Sequence, residues 1–393
     1  NVSAVFAGGS SGNSFINGGT ITGGVSLGAS AGALNSFTAM TGSSIGTTVD
    51  AGIGTNSTLS LAQNSGGGSP TSGSIAIGSY NNFSNLSVHG GTWNITGAWV
   101  PAAASTPVVT LGGGTAIVNL PGVFATASIT GNGGALQAGV AGLSLANAIN
   151  LTGGLAISGS NGLTLSGAIG GAGGIGGLTL GGGGVVTLNG ASSYSGGTLL
   201  NGGGGLTVGA NAALGIGALT VAGAGGTLSV GVPGVTLANA VNLNGGLTIG
   251  GGNTLGLGGA IGGTGALTLS GPGTVTLSGA NAYSGGTTLS GGGILAVGAS
   301  AALGTGALTV SGLGGTLSAV TAGVTLANAV SLNTGLTVGG SNSFGVSGAI
   351  GGTGGLTLGG TGTLTLSGAN NYTGGTIVNS GTLALGAGGR LAA

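Results

Sequence analysis

The feature that most constrains the fold is a phrase that returns at fixed spacing. The segment LSGANAYSGGT (277–287) recurs as LSGANNYTGGT (366–376) and first occurs as LNGASSYSGGT (188–198). The tyrosine of each copy is 89 residues from the next: Tyr194, Tyr283 and Tyr372. A catalytic motif needs to occur only once. A unit repeated along the chain is typical of stacked architectures, in which each unit contacts its neighbours.

Two other markers follow the same repeat. VTLANAV (235–241) returns at 324–330, after an earlier form LSLANAI (143–149), and the starts are 92 and then 89 residues apart. The phrase GAIGG keeps the same spacing and begins at Gly167, Gly259 and Gly348. These markers predict a regular region, 108–393, divided into 151–242, 243–331 and a partial 332–393. The preceding 1–107 is predicted to be an irregular N-terminal assembly region of the same architecture.

A shorter period runs inside each unit. One unit divides at leucines that begin short apolar segments, with steps of 24, 22, 19 and 24 residues: Leu243, Leu267, Leu289, Leu308 and Leu332. A period near 20 residues with variable loops is the signature of stacked coils. The coils are therefore expected to be about 19–24 residues long, and the chain to contain about 18 of them.

The content of each coil is strand and turn. Apolar residues alternate with Thr or Ser in segments such as LTLSG, VTLSG and LTVSG, and alternation with period two indicates a β-strand. Gly and Asn between these segments supply turns because both adopt positive φ at low cost. Together with the coil period, this predicts an all-β fold, a right-handed parallel β-helix (β-solenoid).

Several aromatic and amide residues are candidates for special roles. The three repeated tyrosines are interpreted as structural, because an aromatic ring is a large apolar side chain for coils of Gly, Ala and Thr; a platform that stacks sugars is the alternative. The asparagines of the repeated Ala-Asn-Ala phrase are assigned a structural role as well: Asn147, Asn239 and Asn328. Tryptophan is enriched at interface hot spots, so four aromatic residues of the irregular region are candidate interface anchors: Trp93, Trp99, Phe6 and Phe15.

Charge is almost absent, and this excludes most chemistry. The 393 residues include one basic residue, Arg390, one acidic residue, Asp50, and one histidine, His89. Sugar hydrolysis needs two carboxylates, zinc needs about four ligands, and nucleic-acid binding needs cations. We therefore expect no enzymatic activity, no cofactor, no metal and no nucleic-acid partner, and we interpret His89 as a turn or packing residue.

The chain also lacks the marks of a membrane span. A spanning helix needs about 20 consecutive apolar residues, and polar residues or glycine interrupt every apolar run well before that length. The sequence opens at Asn1 without a Met or a basic segment, as expected of a processed, secreted chain. An extracellular or cell-surface location follows as the expectation.

The repeated phrases resemble a known family. LSGANAYSGGT, followed by LAVGASAALGTGALTVSG (295–312), is similar to the passenger-associated repeat of bacterial autotransporters, and the resemblance covers about 151–393. The resemblance implies a secreted surface protein with a parallel β-helical fold, often with an adhesive role.

The function that these observations favour is structural. Sheet proteins usually protect strand edges with lysine or proline, and soluble surfaces carry net charge that keeps molecules apart. A chain without these features is predicted to be a self-assembling subunit of a surface fibre, sheath or matrix, with itself as partner, through end-to-end or lateral contacts. The alternative is an autotransporter-like adhesin that binds host or carbohydrate ligands such as surface glycans.

An ice-binding solenoid is the third reading. It requires threonine on successive coils, and the sequence offers TVT (274–276) and TLT (363–365), which are a full unit apart. The threonine array is therefore expected to be too sparse for this function.

Overall fold

The computed structural model describes residues 5–6, 12–28, 34–52, 56–66, 70–103, 105–171 and 176–391. The chain forms two compact units, Asn1–Gly197 and Thr198–Ala393. Among the described residues there is no α-helix, and one turn of 3-10 helix spans Ile77–Ser79. The predicted boundary at residue 107 does not coincide with the boundary between these units and stays a prediction.

The first unit consists of short strands joined by turns. Its strands are β1 (Val5–Phe6), β2 (Ser14–Asn17), β3 (Thr20–Ile21), β4 (Val25–Ser26), β5 (Ser36–Met40), β6 (Ser44–Ile45), β7 (Val49–Asp50), β8 (Thr58–Ala62), β9 (Ser72–Ala76), β10 (Tyr80–Asn81), β11 (Asn85–Val88), β12 (Thr92–Thr96), β13 (Val108–Leu111), β14 (Thr115–Val118), β15 (Ser128–Gly131), β16 (Ala135–Ala138), β17 (Leu143–Leu145), β18 (Ile149–Leu151), β19 (Leu155–Ser158), β20 (Leu163–Leu165), β21 (Ile169–Gly170), β22 (Leu178–Leu180) and β23 (Val185–Leu188).

The second unit has the same construction with more uniform strands. They are β24 (Thr198–Leu200), β25 (Gly205–Val208), β26 (Leu219–Val221), β27 (Gly226–Val230), β28 (Val235–Leu237), β29 (Val241–Leu243), β30 (Leu247–Ile249), β31 (Leu255–Leu257), β32 (Ile261–Gly263), β33 (Leu267–Leu269), β34 (Thr274–Leu277), β35 (Thr287–Leu289), β36 (Ile294–Val297), β37 (Leu308–Val310), β38 (Gly315–Ala319), β39 (Val324–Leu326), β40 (Val330–Leu332), β41 (Leu336–Gly339), β42 (Phe344–Val346), β43 (Ile350–Gly352), β44 (Leu356–Leu358), β45 (Thr363–Leu366), β46 (Thr376–Val378) and β47 (Thr382–Leu385).

Each strand pairs in parallel with the equivalent strand of the next coil. In the first unit the longest sheet has the order β2-β5-β8-β11-β13-β15-β18-β21, and a second runs β9-β12-β14-β16-β19-β22. In the second unit two sheets have eight strands each, β25-β27-β30-β33-β35-β37-β40-β43 and β28-β31-β34-β36-β38-β41-β44-β46. Because every described pair is parallel and joins strands of successive coils, both units are β-solenoids, and the predicted parallel β-solenoid fold is confirmed.

The alternation within the strands decides what each coil buries. In the sheet that begins with β25, the inward residues stack one above the other, and none is more than 3% exposed: Leu228, Ile249, Leu269, Leu289, Val310 and Leu332. Burial of one such side chain contributes about 1.5–3 kcal/mol. One coil cannot bury this face alone, so the stack supplies the core.

The GAIGG phrase is explained by a close backbone approach between coils. At its first glycine a Cβ atom would overlap the main-chain carbonyl of the asparagine in the preceding Ala-Asn-Ala phrase: Gly167 over Asn147, Gly259 over Asn239 and Gly348 over Asn328. The last glycine of the phrase adopts a positive φ in two copies, +103° at Gly263 and +110° at Gly352. Glycine is therefore required at the start of all three copies and at the end of the last two.

Candidate functional site

The repeated asparagines connect neighbouring coils. The side chain of Asn239 donates from Nδ2 to two carbonyl oxygens of the preceding coil, Gly217 at 2.6 Å and Gly215 at 3.1 Å. The other copies repeat this geometry: Asn147 with Ala127 (2.7 Å) and Ala125 (3.1 Å), and Asn328 with Gly306 (2.7 Å) and Gly304 (3.0 Å). All three asparagines are buried. Each amide therefore satisfies main-chain acceptors that the glycine- and alanine-rich turn would otherwise leave unpaired.

The repeated tyrosines lie in the core. The rings of all three are fully buried. The hydroxyl of Tyr283 forms a 2.6 Å hydrogen bond with Oγ1 of Thr287, and Tyr372 forms the same bond with Thr376 at 2.5 Å. Burial raises the pKa of Tyr283 to about 12, against the smaller opposing effect of the Thr287 hydrogen bond. No tyrosine ring of the repeat is accessible as a stacking platform for sugars.

Sequence reasoning missed a second set of amides in the tyrosine phrase itself. The side chain of Asn281 accepts from the amide of Ile261 (2.8 Å) and donates to the carbonyl of Ala302 (2.6 Å). Asn370 does the same between Ile350 and Arg390. The side chain thus bridges the coils on both sides of its own. The signal was present, since an asparagine stands two residues before the tyrosine in two of the three copies.

The two tryptophans lie inside the first unit. Trp93 is 1% exposed, its ring packs against Gly73, and its Nε1 donates to the carbonyl of Gly90 at 3.0 Å. Trp99 is 2% exposed. Both indoles therefore contribute to the core of their own chain, and the predicted interface role stays a prediction.

The two candidate phenylalanines have different positions. Phe15 is half-buried and stacks on Phe37, with ring centroids 5.6 Å apart and an interplanar angle of 14°. Phe37 in turn meets Tyr80 edge to face at 5.8 Å. Phe6 lies in β1, and its side chain is outside the described part of the structure. Phe15 is therefore partly committed to an aromatic cluster that covers the early coils.

The residues most suited to catalysis have separate partners. Asp50 accepts hydrogen bonds at Oδ1 from the amide of Gly52 and from Nδ2 of Asn82, both at 2.8 Å. His89 pairs through Nε2 with the hydroxyl of Ser87 at 2.9 Å. In the described ranges, no three or more His, Cys, Asp or Glu side chains gather where they could hold a metal ion. The structure brings no acid–base pair together from these residues.

A shallow groove lies on the outer face of the first unit. Its volume is about 500 Å³, within the range of about 300–1,000 Å³ that ligand sites occupy. The polar residues that line it are Ser43, Ser72, Ser74, Thr92 and Asn94. All of these are uncharged hydrogen-bonding groups, so the groove suits a neutral, hydroxylated ligand better than an ion.

The comparisons with known proteins concern the repeat. Segments 178–208, 267–297 and 356–385 match the family model described as passenger-associated-transport-repeat. The chain therefore carries three copies of this repeat, which confirms the resemblance to autotransporter passengers. A search of curated proteins and a search of solved structures found no match.

The repeat and the β-solenoid fit an extracellular protein of the passenger type, secreted or at the cell surface. The described part of the chain has no helix that is both long enough and apolar enough to span a bilayer.

Proposed function

We propose that this protein is a non-enzymatic, extracellular structural protein whose copies associate end to end or laterally into a fibre, sheath or matrix at the cell surface. The three copies of the passenger-associated repeat support the proposal, since this repeat is typical of passenger domains, which are mostly non-enzymatic. The single observation on which the proposed self-assembly rests is the near absence of charged residues. Only Asp50 and Arg390 are charged among 393 residues.

The physical reason is the lack of repulsion. Net charge keeps soluble proteins apart, and charged side chains blunt the faces and edges of sheets. Asp50 is half-buried and engaged by Gly52 and Asn82, so it contributes little to a repulsive surface. The outer sides of the coils carry Thr, Ser, Asn and Gly, whose burial against a neighbouring copy costs less desolvation free energy than the burial of charged side chains. Contacts that do not close into a ring produce filaments.

Two exposed aliphatic residues give lateral association specific anchor points. Ile216 is 77% exposed and Leu313 is 83% exposed, both in turns of the second unit. An exposed aliphatic side chain alone is ordinary. Here, however, no charged side chain stands beside it. Another copy can therefore bury it without removing water from a charged group.

Sedimentation velocity and negative-stain imaging test the proposal. The protein is expected to sediment as assemblies that grow with concentration. Ile216→Lys combined with Leu313→Lys should shift the distribution toward monomer, and added salt should partly restore assembly because it screens the new charges. The matched control, Ile216→Thr with Leu313→Thr, introduces no charge and should weaken assembly less. Wild-type protein that remains monomeric at high concentration for days would contradict the proposal.

An adhesin that binds a neutral glycan is the second candidate, and the groove of the first unit favours it. Ser72→Tyr would fill the groove, and we expect it to abolish binding on a glycan array. Thr220→Tyr, on a face of the second unit, should leave binding intact. A wild-type protein without any bound glycan, or equal binding by both variants, would remove this candidate.

A further inference from the structure

The outer face of one sheet in the second unit carries a continuous column of hydroxyl side chains. The residues pair in register, one on each of six successive coils, and we call them the hydroxyl ladder: Thr227, Thr248, Thr268, Thr288, Thr309 and Ser331. Paired strands are about 4.8 Å apart, so the hydroxyls repeat at that interval. The expectation of a sparse array with one threonine position per unit is wrong, because it considered only the Thr-X-Thr segments.

A second column runs beside the hydroxyl ladder. Ser270, Ser290 and Ser311 each follow their strand, and their amides donate to the carbonyl of the preceding coil at 3.0, 2.9 and 3.0 Å. Each serine is two residues beyond a ladder threonine and lies on the same face. On the other side of the ladder stand Gly246, Ala266, Gly286 and Ala307. The residues on both sides of the central ladder threonines are therefore small, and the nearest large exposed side chain is that of Leu313, in the turn after Ser311.

The ladder is also held in place from below. The inward residues between its threonines and serines are the buried aliphatic stack described above, each no more than 3% exposed. Threonine is branched at Cβ, which restricts χ1. Within the described part of the chain, the hydroxyls of Thr248, Thr268 and Thr288 have no hydrogen-bond partner. The face thus presents fixed, unused hydroxyl groups with methyl groups beside them.

The chemistry of this face narrows the class of ligand. It has no cation for phosphate or nucleic acid, and the repeat tyrosines are buried, which leaves no aromatic ring for sugar stacking. High β-propensity explains why these positions hold β-branched residues. It does not explain why they hold threonine, since valine and isoleucine have the same propensity. A rigid, neutral array of hydroxyl and methyl groups with a constant interval matches a partner that is itself neutral, hydrogen-bonding and periodic. The water lattice at the surface of ice has these properties.

We propose that the hydroxyl ladder binds ice. The methyl groups would hold the adjacent water in an ordered arrangement, and the free hydroxyls would take the places of lattice waters and complete their hydrogen bonds. This activity is independent of self-assembly, since it needs one face of one copy.

A neighbouring face supplies the control. The outward residues of the sheet β24-β26-β29-β32 are Leu199, Thr220, Asn242 and Gly262. This neighbouring face belongs to the same coils and has the same backbone spacing as the ladder, but it carries no repeated hydroxyl. A substitution at Thr220, which is half-exposed like Thr268 and Thr288, changes the same residue type without touching the ladder.

The experiment measures partition of the purified protein into growing ice and inhibition of ice recrystallisation. Wild type should enter the ice and inhibit crystal growth. Thr268→Tyr with Thr288→Tyr keeps β-propensity but places two large rings in the middle of the ladder, and about tenfold more protein should then be needed for the same inhibition, a loss of about 1.4 kcal/mol. Thr220→Tyr should match wild type. Far-UV circular dichroism and sedimentation check that folding and assembly are unchanged.

A second pair of substitutions separates chemistry from shape. Thr268→Val with Thr288→Val preserves the branched side chain and removes only the hydroxyls, so it is expected to fold like wild type and to inhibit less. Exclusion of wild-type protein from ice to the same extent as an unrelated globular protein would overturn the proposal. Full activity of the tyrosine pair in folded protein would also overturn it. Neither result bears on assembly, which is measured separately.

Discussion

The early coils of the first unit and the coils of the second unit fill their interiors with different side chains. In residues 12–81 several strands are two residues long, among them β3, β4, β6, β7 and β10, whereas every strand of the second unit has three to five residues. The early core depends on aromatic side chains such as Phe37 and Tyr80, which contact each other. The core of the second unit consists mostly of leucine, isoleucine and valine, and its aromatic members are Tyr283, Phe344 and Tyr372.

The difference shows what regular coil length provides. When coils have similar lengths, each inward position lies over an equivalent one, and aliphatic side chains fill the space as a stack. In the first unit the inward residues differ more in size, and a large ring fills the space that a register partner without a side chain leaves empty. Trp93 lies across Gly73 of the preceding coil in this way. Close packing therefore comes from repetition in one region and from side-chain size in the other.

The largest expected effect tests this contrast directly. Trp93→Ala should lower the free energy of unfolding of the first unit by about 3–5 kcal/mol, because a large cavity remains beside Gly73, which has no side chain to fill it. Hydrogen exchange should show the loss in residues 70–171 and leave residues 198–391 protected. Loss of protection throughout both units would show that the two regions do not differ as described.

A smaller effect is expected in alkali, and it should appear in both regions. Burial raises the pKa of Tyr80 and of Tyr283 to about 12. The unfolded chain loses these protons near pH 10 and the native chain retains them, so stability is complete below pH 10 and falls as pH rises from 10 to 12. The slope is at most about 1.4 kcal/mol per pH unit for each tyrosine.

Single substitutions assign this alkaline loss. Tyr80→Phe should remove the part that belongs to the first unit and Tyr283→Phe the part that belongs to the second, as measured by chemical denaturation at several pH values. Unchanged slopes in both variants would mean that the two phenols are not buried as described.

The third effect concerns hydrogen bonds between coils of the second unit. Asn239→Ala leaves the carbonyls of Gly215 and Gly217 without their donor, and a buried unsatisfied group costs about 1–3 kcal/mol. Asn242→Ala, an exposed asparagine three residues further on, is the matched control and should be close to neutral. Equal melting temperatures for both variants would show that the Asn239 amide is not essential to the turn.

The solenoid could be predicted from the sequence because the residues that mark the repeat are ones that the fold requires at those positions. Gly259 must be glycine where the chain crosses Asn239, and Tyr283 must fit one core position, so both recur at fixed spacing. The hydroxyl ladder could not be found in this way. Its members are 21, 20, 20, 21 and 22 residues apart along the chain, since turn lengths vary, and only the strand register brings them into one column.

The burial of the tryptophans was hidden for a related reason. Trp93 stands in an irregular region where no repeat indicates which residues face inward, and the residue that covers its ring is a glycine 20 positions earlier. Composition suggested an interface anchor because tryptophan is common there. The contact that decides its role depends on the register of β9 with β12.

Register is therefore the central claim, and disulfide mapping tests it most directly in a chain without native cysteine. Thr248 and Thr268 are register partners on adjacent coils, about 4.8 Å apart, which suits a disulfide with its usual Cα separation of about 4.4–6.8 Å. Thr248 and Thr288 are two coils apart and about twice as distant. Mild oxidation should cross-link Thr248→Cys with Thr268→Cys readily and leave Thr248→Cys with Thr288→Cys reduced. Efficient cross-linking of the second pair, or none of the first, would contradict the account.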